Sequence, residues 1–427
     1  MMGRGHLRRQ FGHAARVLSA VAVVALANTQ AIAPGGRNTA WAVTGPALAG
    51  RVPAGFDPVS VSAVSAGTFW VLGAVPCPGH SCAKGTTEAT SEHCDEAPTP
   101  HATPLCTWLV RTDDGGTSFV DLPPPPAPLL KGTYNGGSEG IDTISFANPR
   151  DGFAFAPYTT VGSAGSFWET HDGGRTWSEP PALANKFVVA VGTGGGFVLV
   201  LVAGDCGATQ CADGVLLRSP LGTDNWAPLA LPVPVTPNWG AAMTVVGRHV
   251  WISTTPAPMS SDQLYGTLLR SNSSGDGFRA LVSPCLRQYT GSLTAISASV
   301  VWAVCPTGMS AEVLRSTDGG ARWARLPTGA PNRFPVLAPL SATTAVLEAG
   351  PDSQLLRTTD GGAAWRSVYP AMADGNSWSW VGFSGLRTGW ALQVQAELSG
   401  SPYVPVVQQL WRTSDGGTTW TGPVHFR

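Results

Sequence analysis

Eight cysteines are the side chains of this sequence with the richest chemistry. Thiols can pair as disulfides or, as thiolates, bind zinc. Their number is even, and the segment 77–106 adds three histidines to four of them. Because their spacings match no zinc-site pattern, we expect disulfides in an oxidising compartment. The cysteines are Cys77, Cys82, Cys94, Cys106, Cys206, Cys211, Cys285 and Cys305.

Acidic and aromatic side chains form the second group able to do chemistry. Carboxyl groups can act in general acid–base catalysis, and Trp or Tyr rings can stack on sugars or anchor a protein ligand. No spacing marks two of the acids as a pair, and each alone fits a solvated loop. Trp378 and Trp380 fit equally well as core residues of one strand. The acids are Glu139, Asp142, Glu312, Asp352 and Glu397, and the aromatics are Tyr134, Trp239, Tyr289, Trp378 and Trp380.

The element that must position these groups is a repeat of eight residues. Its intact form contains Ser or Thr, then Asp, two Gly and a closing aromatic. Five intact copies occupy 112–119, 170–177, 316–323, 358–365 and 413–420, and two weaker copies occupy 219–226 and 271–278. Ser, Thr and Asp side chains bond the backbone of tight turns, and Gly allows positive φ. We therefore interpret each copy as a turn, named the box turn below.

Two further features recur with the box turn. Arg precedes six copies, and Glu169 takes that place in the second copy. A short apolar strand carries an aromatic in six of the seven units, at Trp70, Phe153, Phe197, Trp251, Trp302 and Trp390, with Ala345 in the sixth unit. Seven units of four short strands predict an all-β, seven-bladed propeller of four-stranded antiparallel blades rather than a solenoid. The box turn then joins strands C and D of each blade.

The composition agrees with this fold. The 427 residues include 52 Gly and 36 Pro, 43% are hydrophobic and only 12% are charged, against a usual charged share of roughly 25%. Such a chain can build a core, which excludes a disordered or collagen-like protein. The low charge fits sheets that are packed on both faces. We expect one propeller domain over 55–427, after an extension over 28–54.

The N-terminus predicts export. Four arginines and no acid occur in residues 1–27, and the apolar run over 17–26 is too short to span a bilayer. We expect cleavage after residue 27, or after residue 33, by the general secretory route or by the twin-arginine route that Arg8-Arg9 suggests. An amphipathic N-terminal helix is the alternative. No later run is long enough for a membrane helix, and the acidic balance after cleavage argues against nucleic acid.

The box turn resembles the Asp box, or bacterial neuraminidase repeat. That turn occurs in sialidases, sortilin-type receptors, xyloglucan-degrading glycosidases and the photosystem II stability and assembly factor family. The resemblance covers about residues 55–427; the seven units and Gly389-Trp390-Ala391 look most like the photosystem factor group. In the enzymes of this group the boxes lie away from the active site. The resemblance therefore implies structural roles for Asp114, Asp172, Asp318, Asp360 and Asp415.

The sialidase resemblance extends to one further motif. Arg51-Val52-Pro53 is similar to the Arg-Ile-Pro motif of that family, whose Arg holds the substrate carboxylate; an ordinary loop before the first strand is the alternative. The six tyrosines match no sialidase nucleophile context, and sialidases typically have six blades. A xyloglucanase usually has a second propeller, for which this chain is too short. We therefore expect a binding or assembly module, with a sialidase-like glycoside hydrolase and a structural envelope protein as alternatives.

The loops opposite the box turns form the expected binding face, named the loop face below. The longest are 76–106, 123–140, 157–166, 254–265 and 394–406, and all eight cysteines fall on this face. We expect the disulfides Cys206–Cys211 and Cys285–Cys305 and, among three arrangements for the rest, Cys77–Cys106 with Cys82–Cys94. The predicted ligand-binding residues are Arg51, Glu139, Trp239, Tyr289, Trp378 and Trp380. We expect a monomer without cofactor or metal that binds a protein or a glycan.

Overall fold

A computed structural model describes fourteen stretches of the chain, and all structural statements refer to them. They are residues 52–76, 105–129, 140–157, 166–184, 186–204, 214–235, 241–254, 265–286, 291–308, 310–328, 335–349, 353–369, 376–395 and 407–426. These stretches form 26 β-strands in seven antiparallel sheets, each built from consecutive strands. None of the described residues forms a helix able to cross a membrane.

The first four sheets contain strands β1 to β15. Blade 1 comprises β1 (Asp57–Ala63), β2 (Phe69–Pro76), β3 (Leu105–Thr112) and β4 (Val120–Leu122). Blade 2 comprises β5 (Thr143–Phe146), β6 (Gly152–Phe155) and β7 (Phe167–Thr170). Blade 3 comprises β8 (Val188–Gly194), β9 (Phe197–Val202), β10 (Val215–Pro220) and β11 (Ala227–Leu229). Blade 4 comprises β12 (Ala241–Val246), β13 (His249–Thr254), β14 (Tyr265–Ser271) and β15 (Arg279–Leu286).

The last three sheets contain strands β16 to β26. Blade 5 comprises β16 (Ser292–Ala295), β17 (Val301–Pro306), β18 (Ala311–Ser316) and β19 (Ala324–Arg325). Blade 6 comprises β20 (Leu337–Pro339), β21 (Ala345–Ala349), β22 (Gln354–Thr358) and β23 (Arg366–Tyr369). Blade 7 comprises β24 (Ser377–Phe383), β25 (Gly389–Gln395) and β26 (Val407–Thr413). In blades 2 and 7 the outermost strand is reduced to single bridges, Glu169–Ser178 and Arg412–Thr421.

Each blade packs on the next through a hydrophobic cluster, and seven such clusters close a ring. Typical pairs from blade 1–2 to blade 7–1 are Trp70 with Ile144, Phe155 with Val200, Leu201 with Val250, Trp251 with Val301, Trp302 with Leu347, Val346 with Ala391, and Trp390 with Val71. The seventh cluster joins the last blade to the first. The predicted seven-bladed propeller is therefore confirmed, and burial of apolar area between blades is its main source of stability.

The ring closes by side-chain packing rather than by a shared sheet. The Gln408 backbone N–H donates to Asp57 Oδ1 at 2.8 Å, which links blade 7 to blade 1 on the loop face. The Phe426 ring packs against Phe56 and Phe119 of blade 1, with centroid distances of 4.7 and 4.9 Å. The C-terminal residues of blade 7 thereby cover the edge of blade 1.

The five intact box turns share one hydrogen-bond pattern. In the last copy, Thr413 Oγ1 donates to Asp415 Oδ1 at 2.9 Å and accepts the Gly417 N–H at 3.0 Å. Asp415 Oδ1 also accepts the N–H groups of Thr418 and Thr419. Gly416 and Gly417 have φ of 72° and 79°, a region in which a Cβ would be strained. The Ser or Thr, the Asp and the Gly pair therefore all have structural roles in the turn.

Arginine side chains tie six of the seven box turns to the preceding blade. Each Arg lies on strand C, and four guanidinium groups cover aromatic rings of the neighbouring strand B at 4.8–5.6 Å. Four arginines donate to carbonyls of the next turn: Arg218 to Ser274, Arg270 to Asp318, Arg315 to Gly361, and Arg357 to Gly416. Arg111 and Arg412 lie against Gly173 and Gly115 of the next turns. In the sixth unit, the strand-B residue opposite the strand-C arginine, Arg357, is Val346 and not Ala345.

The Arg357 contact provides a test of these ties. Its Nε donates to the Gly416 carbonyl at 2.7 Å. The variant Arg357→Met keeps the apolar stem and removes the donor, so we expect a loss of about 1 kcal/mol in the free energy of unfolding. Chemical denaturation monitored by Trp fluorescence measures this loss. An equal effect of Arg366→Met, which removes an exposed arginine of β23 in the same blade, would show that the loss is not specific to the tie.

Candidate functional site

Most of the predicted ligand-binding residues lie outside the described residues. Arg51, Glu139, Trp239 and Tyr289 belong to this group, as do Tyr134, Asp352, Glu397 and the cysteines Cys77, Cys82, Cys94, Cys206 and Cys211. Val52 and Pro53, which follow Arg51, line a groove with Phe56, Val424 and Phe426, between the first and the last described residues. The described part of the loop face therefore consists of strand ends from the seven blades.

Trp378 is a core residue. Its side chain is 2% exposed and packs between Tyr369, Trp411 and Trp420, with ring centroids 5.2 to 6.3 Å apart. This packing agrees with the interpretation of Trp378 as a core residue. Trp380 is half-buried and lies over Gly382, where a Cβ would collide with the indole ring. The two rings build the seams of blade 7.

Glu348 supports the scaffold at the loop-face end of β21. Its side chain is buried, and Oε1 accepts the Trp378 N–H of blade 7 at 3.3 Å. Burial raises the pKa of Glu348, while hydrogen bonds from Ser353 and Trp378 oppose that rise. This carboxyl group links blades 6 and 7.

Asp142 is the loop-face carboxyl group best suited to proton transfer. It precedes β5, is half-buried, and its Oδ1 accepts the Thr143 hydroxyl at 2.7 Å. Burial raises the pKa of Asp142 to about 6, in spite of that hydrogen bond. A carboxyl group with this pKa exchanges its proton near neutral pH, as a general acid must. Glu312, by contrast, is in an ion pair with Arg325 at 3.1 Å.

A disulfide connects blades 4 and 5 on the loop face. Cys285 of β15 is bonded to Cys305 of β17, as the sequence predicts, and both side chains are buried. Cys285 lies within β15 rather than after it. Cys106 at the start of β3 is also disulfide-bonded. The other predicted pairings involve cysteines outside the described residues.

Two exposed apolar side chains lie in blade 4, which this disulfide connects to blade 5. Among the described residues, the exposed large hydrophobic side chains are Val215, Tyr265, Val282 and Leu386. Tyr265 (45% exposed) and Val215 (41%) each begin strand C on the loop face of adjacent blades, and Val282 (69%) lies on β15 beside β14. Leu386 lies on the opposite face, in the turn between β24 and β25. Our sequence analysis missed Tyr265, whose signal was its position at the end of a long loop.

The described residues that could share a metal ion lie away from the loop face. Glu169, His171 and Asp224 place one ligand atom each within 4.8 Å of one another. They belong to the box turn of blade 2 and the weak box turn of blade 3.

Fold and turns together define the chain as a seven-bladed β-propeller with structural box turns. No protein-family model and no curated protein matches the sequence. Among solved structures, it is similar to YCF48 bound to D1 peptide (16% identity, TM-score 0.43, 65% of this chain and 79% of that one). It is also similar to YCF48 from Cyanidioschyzon merolae (18%, 0.42, 65% and 83%) and to the GH74 enzyme of Niastella koreensis (11%, 0.30, 86% and 71%). At these values the fold assignment rests on the seven sheets and seams themselves.

Proposed function

We propose that the protein is an exported Asp-box propeller that binds a protein ligand through the loop face of blades 3 to 5. The observation that carries this proposal is the exposure of Tyr265 and Val215 at the loop-face start of strand C in adjacent blades, with Tyr265 paired with Leu286, next to the disulfide-bonded Cys285. Exposed apolar side chains that cluster on a rigid scaffold are typical of interaction sites.

The chemistry of this surface favours a protein over a glycan. Tyr combines a large apolar ring with a hydroxyl group, which is why it is enriched at binding hot spots. Val215 and Val282 are aliphatic and offer no face for a sugar ring to stack on. Cys285 is held to blade 5, so β15 presents Val282 on a fixed backbone, and little conformational entropy is lost on binding.

Crosslinking tests this proposal. A photoreactive amino acid at position 265 is compared with the same amino acid at position 386, which is exposed on the opposite face. We expect a discrete adduct with one protein of the host's cell-envelope or secreted fraction from position 265 only. Adducts of equal yield at both positions, or none at 265, contradict the proposal.

Affinity for the identified partner gives a quantitative prediction. Tyr265→Ala is expected to weaken binding about 10- to 100-fold, as loss of an interface tyrosine typically does. Leu386→Ala removes a comparable exposed side chain and is expected to leave Kd unchanged. Biolayer interferometry with purified components measures both. Equal affinities of wild type and Tyr265→Ala would place the interface elsewhere.

A glycoside hydrolase is the second candidate, and Asp142 is the observation that favours it. A general acid with a pKa raised to about 6 is one half of the carboxyl pair that glycosidases use. Turnover of a fluorogenic glycoside that Asp142→Asn abolishes would establish the hydrolase. Binding lost in Tyr265→Ala without any turnover establishes the binding module.

A further inference from the structure

The seam between blades 2 and 3 departs from the other six. Glu169 occupies the strand-C position that Arg holds in every other blade, and it lies opposite Phe153 of strand B. The box turn that it faces is also altered: residues 219–226 lack the Gly pair, and Asp224 stands three positions after the usual Asp position, which Leu221 occupies. An anionic side chain therefore faces this turn where a cation faces the others.

Glu169 is buried, and its carboxyl group makes no well-formed hydrogen bond with the described residues, although the Asp224 carboxyl group and the Trp226 indole lie close to it. It is 1% exposed, and neither Oε1 nor Oε2 accepts a hydrogen bond from the described residues. A buried carboxyl group without partners is costly, and proteins normally satisfy it with a donor or a cation. This position is thus destabilised unless a cation or a proton joins it.

His171 completes a set of ligands around Glu169. Its Nε2 lies 3.0 Å from Asp224 Oδ1, and its Nδ1 lies 2.8 Å from Asp151 Oδ1. Asp151 is itself fixed by Asn148, whose Nδ2 donates to Oδ2 at 2.7 Å. A carboxylate on the distal nitrogen of an imidazole orients the ring and sets the tautomer of metal-binding histidines. His171 therefore directs Nε2 toward Asp224 and Glu169.

We propose that Glu169, His171 and Asp224 bind a divalent first-row transition ion that joins blade 2 to blade 3. The ligand atoms lie within 4.8 Å of one another, and small side-chain rotations bring them to the separations of about 3.4 Å that tetrahedral Zn²⁺ ligands have. One imidazole with two carboxylates suits such ions better than Ca²⁺ or Mg²⁺. The side chains of His171 and Asp224 are 30% and 53% exposed, which leaves an entry path from solvent.

This site replaces the missing arginine tie. In the other seams a guanidinium of one blade lies against the box turn of the next, whereas here both blades contribute anionic groups. A metal cation bound between them takes the place that a guanidinium group holds in the other seams. The bound ion is therefore expected to stabilise the whole ring, because the blade 2–3 seam is one of seven that close it.

Titration of the full chain with Zn²⁺ tests the proposal. Isothermal titration calorimetry and thermal unfolding are compared for the wild type, Glu169→Gln, His171→Gln and the control His249→Gln. His249 begins β13 of blade 4, and its Nδ1 lies 3.1 Å from Oδ1 of Asn272, the residue of the blade 4 box turn that corresponds to His171. We expect one Zn²⁺ per chain and a raised Tm for the wild type and the control. Glu169→Gln and His171→Gln are expected to weaken Zn²⁺ binding at least about tenfold and to abolish the increase in Tm. Asp151→Asn is expected to weaken Zn²⁺ binding about 10- to 100-fold.

Several outcomes would overturn the assignment. Zn²⁺ bound elsewhere, for example by the cysteines and histidines of 77–106, survives both substitutions and rejects the site. Equal binding of Ca²⁺ and Zn²⁺ rejects the proposed class of ion. Absence of saturable binding, with Glu169→Gln more stable than the wild type, shows that the carboxyl group holds a proton instead. The metal-free Glu169→Gln protein is expected to fold, because Gln has nearly the same shape as Glu and removes a buried acid. Loss of Zn²⁺ binding in this variant is therefore not confused with unfolding.

Discussion

Trp251→Ala is expected to destabilise the protein by about 3–5 kcal/mol. The Trp251 side chain is fully buried in the blade 4–5 seam and packs on Leu268 and Val301. Its Nε1 donates to the Gly319 carbonyl of the next box turn at 2.9 Å, and the Arg270 guanidinium covers its ring. The substitution leaves a cavity in the seam and removes the surface on which the arginine tie lies.

A comparison with Trp302 separates the hydrogen bond from the packing. Trp302 holds the same position in blade 5, is equally buried and lies under Arg315, but its Nε1 has no partner among the described residues. Trp251→Phe and Trp302→Phe remove similar volumes. Only Trp251→Phe breaks a hydrogen bond, so we expect it to cost about 1 kcal/mol more than Trp302→Phe.

Denaturant unfolding followed by near-UV circular dichroism measures these differences. Trp70, which donates to the Gly173 carbonyl at 2.9 Å, serves as a replicate of Trp251 in the first seam. If Trp302→Phe costs as much as Trp251→Phe and Trp70→Phe, the hydrogen bond across the seam contributes nothing. If Trp251→Ala unfolds with an unchanged midpoint, the seams do not limit the stability of the ring.

The fold could be predicted from sequence because its information is local and repeated. A turn whose Ser or Thr, Asp and Gly bond one another needs no distant partner, so the turn can be recognised from the sequence. The aromatic residue of strand B can also be recognised from the sequence. In blade 3, however, the residue opposite Arg218 is Leu199, and the aromatic Phe197 lies two positions before it. The contacts that close the ring could not be predicted from the sequence, because Phe426 lies far along the chain from Phe56 and Phe119 and meets them only in the folded ring.

The sites built on Tyr265 and Glu169 could not be singled out in the sequence, because they depend on contacts between strands and between blades. Glu169 was visible as an exception to the arginine pattern, but its burial and its approach to Asp224 follow from the packing of two blades. Tyr265 was visible as one of six tyrosines, and only the sheet shows that its ring points to solvent. Trp378 has a strand-A position that suits both core and surface, and its neighbours Tyr369 and Trp420 come from the last strand of blade 6 and the box turn of blade 7.

Asp415→Asn is expected to cost about 2 kcal/mol at neutral pH, the second largest effect. Asp415 is half-buried and accepts the Thr413 hydroxyl, the Thr418 and Thr419 N–H groups, and the Thr419 hydroxyl, which donates to Oδ2 at 2.7 Å. Burial alone would raise the pKa of Asp415, but these hydrogen bonds outweigh it and lower the pKa to about 2. Its usual value is 3.8, and a shift of this size corresponds to about 2 kcal/mol once solvent screening is allowed for.

The sign of the pH dependence follows from that depressed pKa. The folded state holds the proton less tightly than the unfolded state, so the contribution of Asp415 is complete above pH 4 and is lost as the pH falls toward 2. The stability difference between wild type and Asp415→Asn is therefore expected to be constant from pH 5 to 8 and to shrink below pH 4. Urea unfolding at each pH measures it, with Asp113→Asn as control, because Asp113 forms only an exposed ion pair with Arg111. A difference that persists unchanged at pH 2.5 would mean that the box turn depends on the shape of Asp415 and not on its charge.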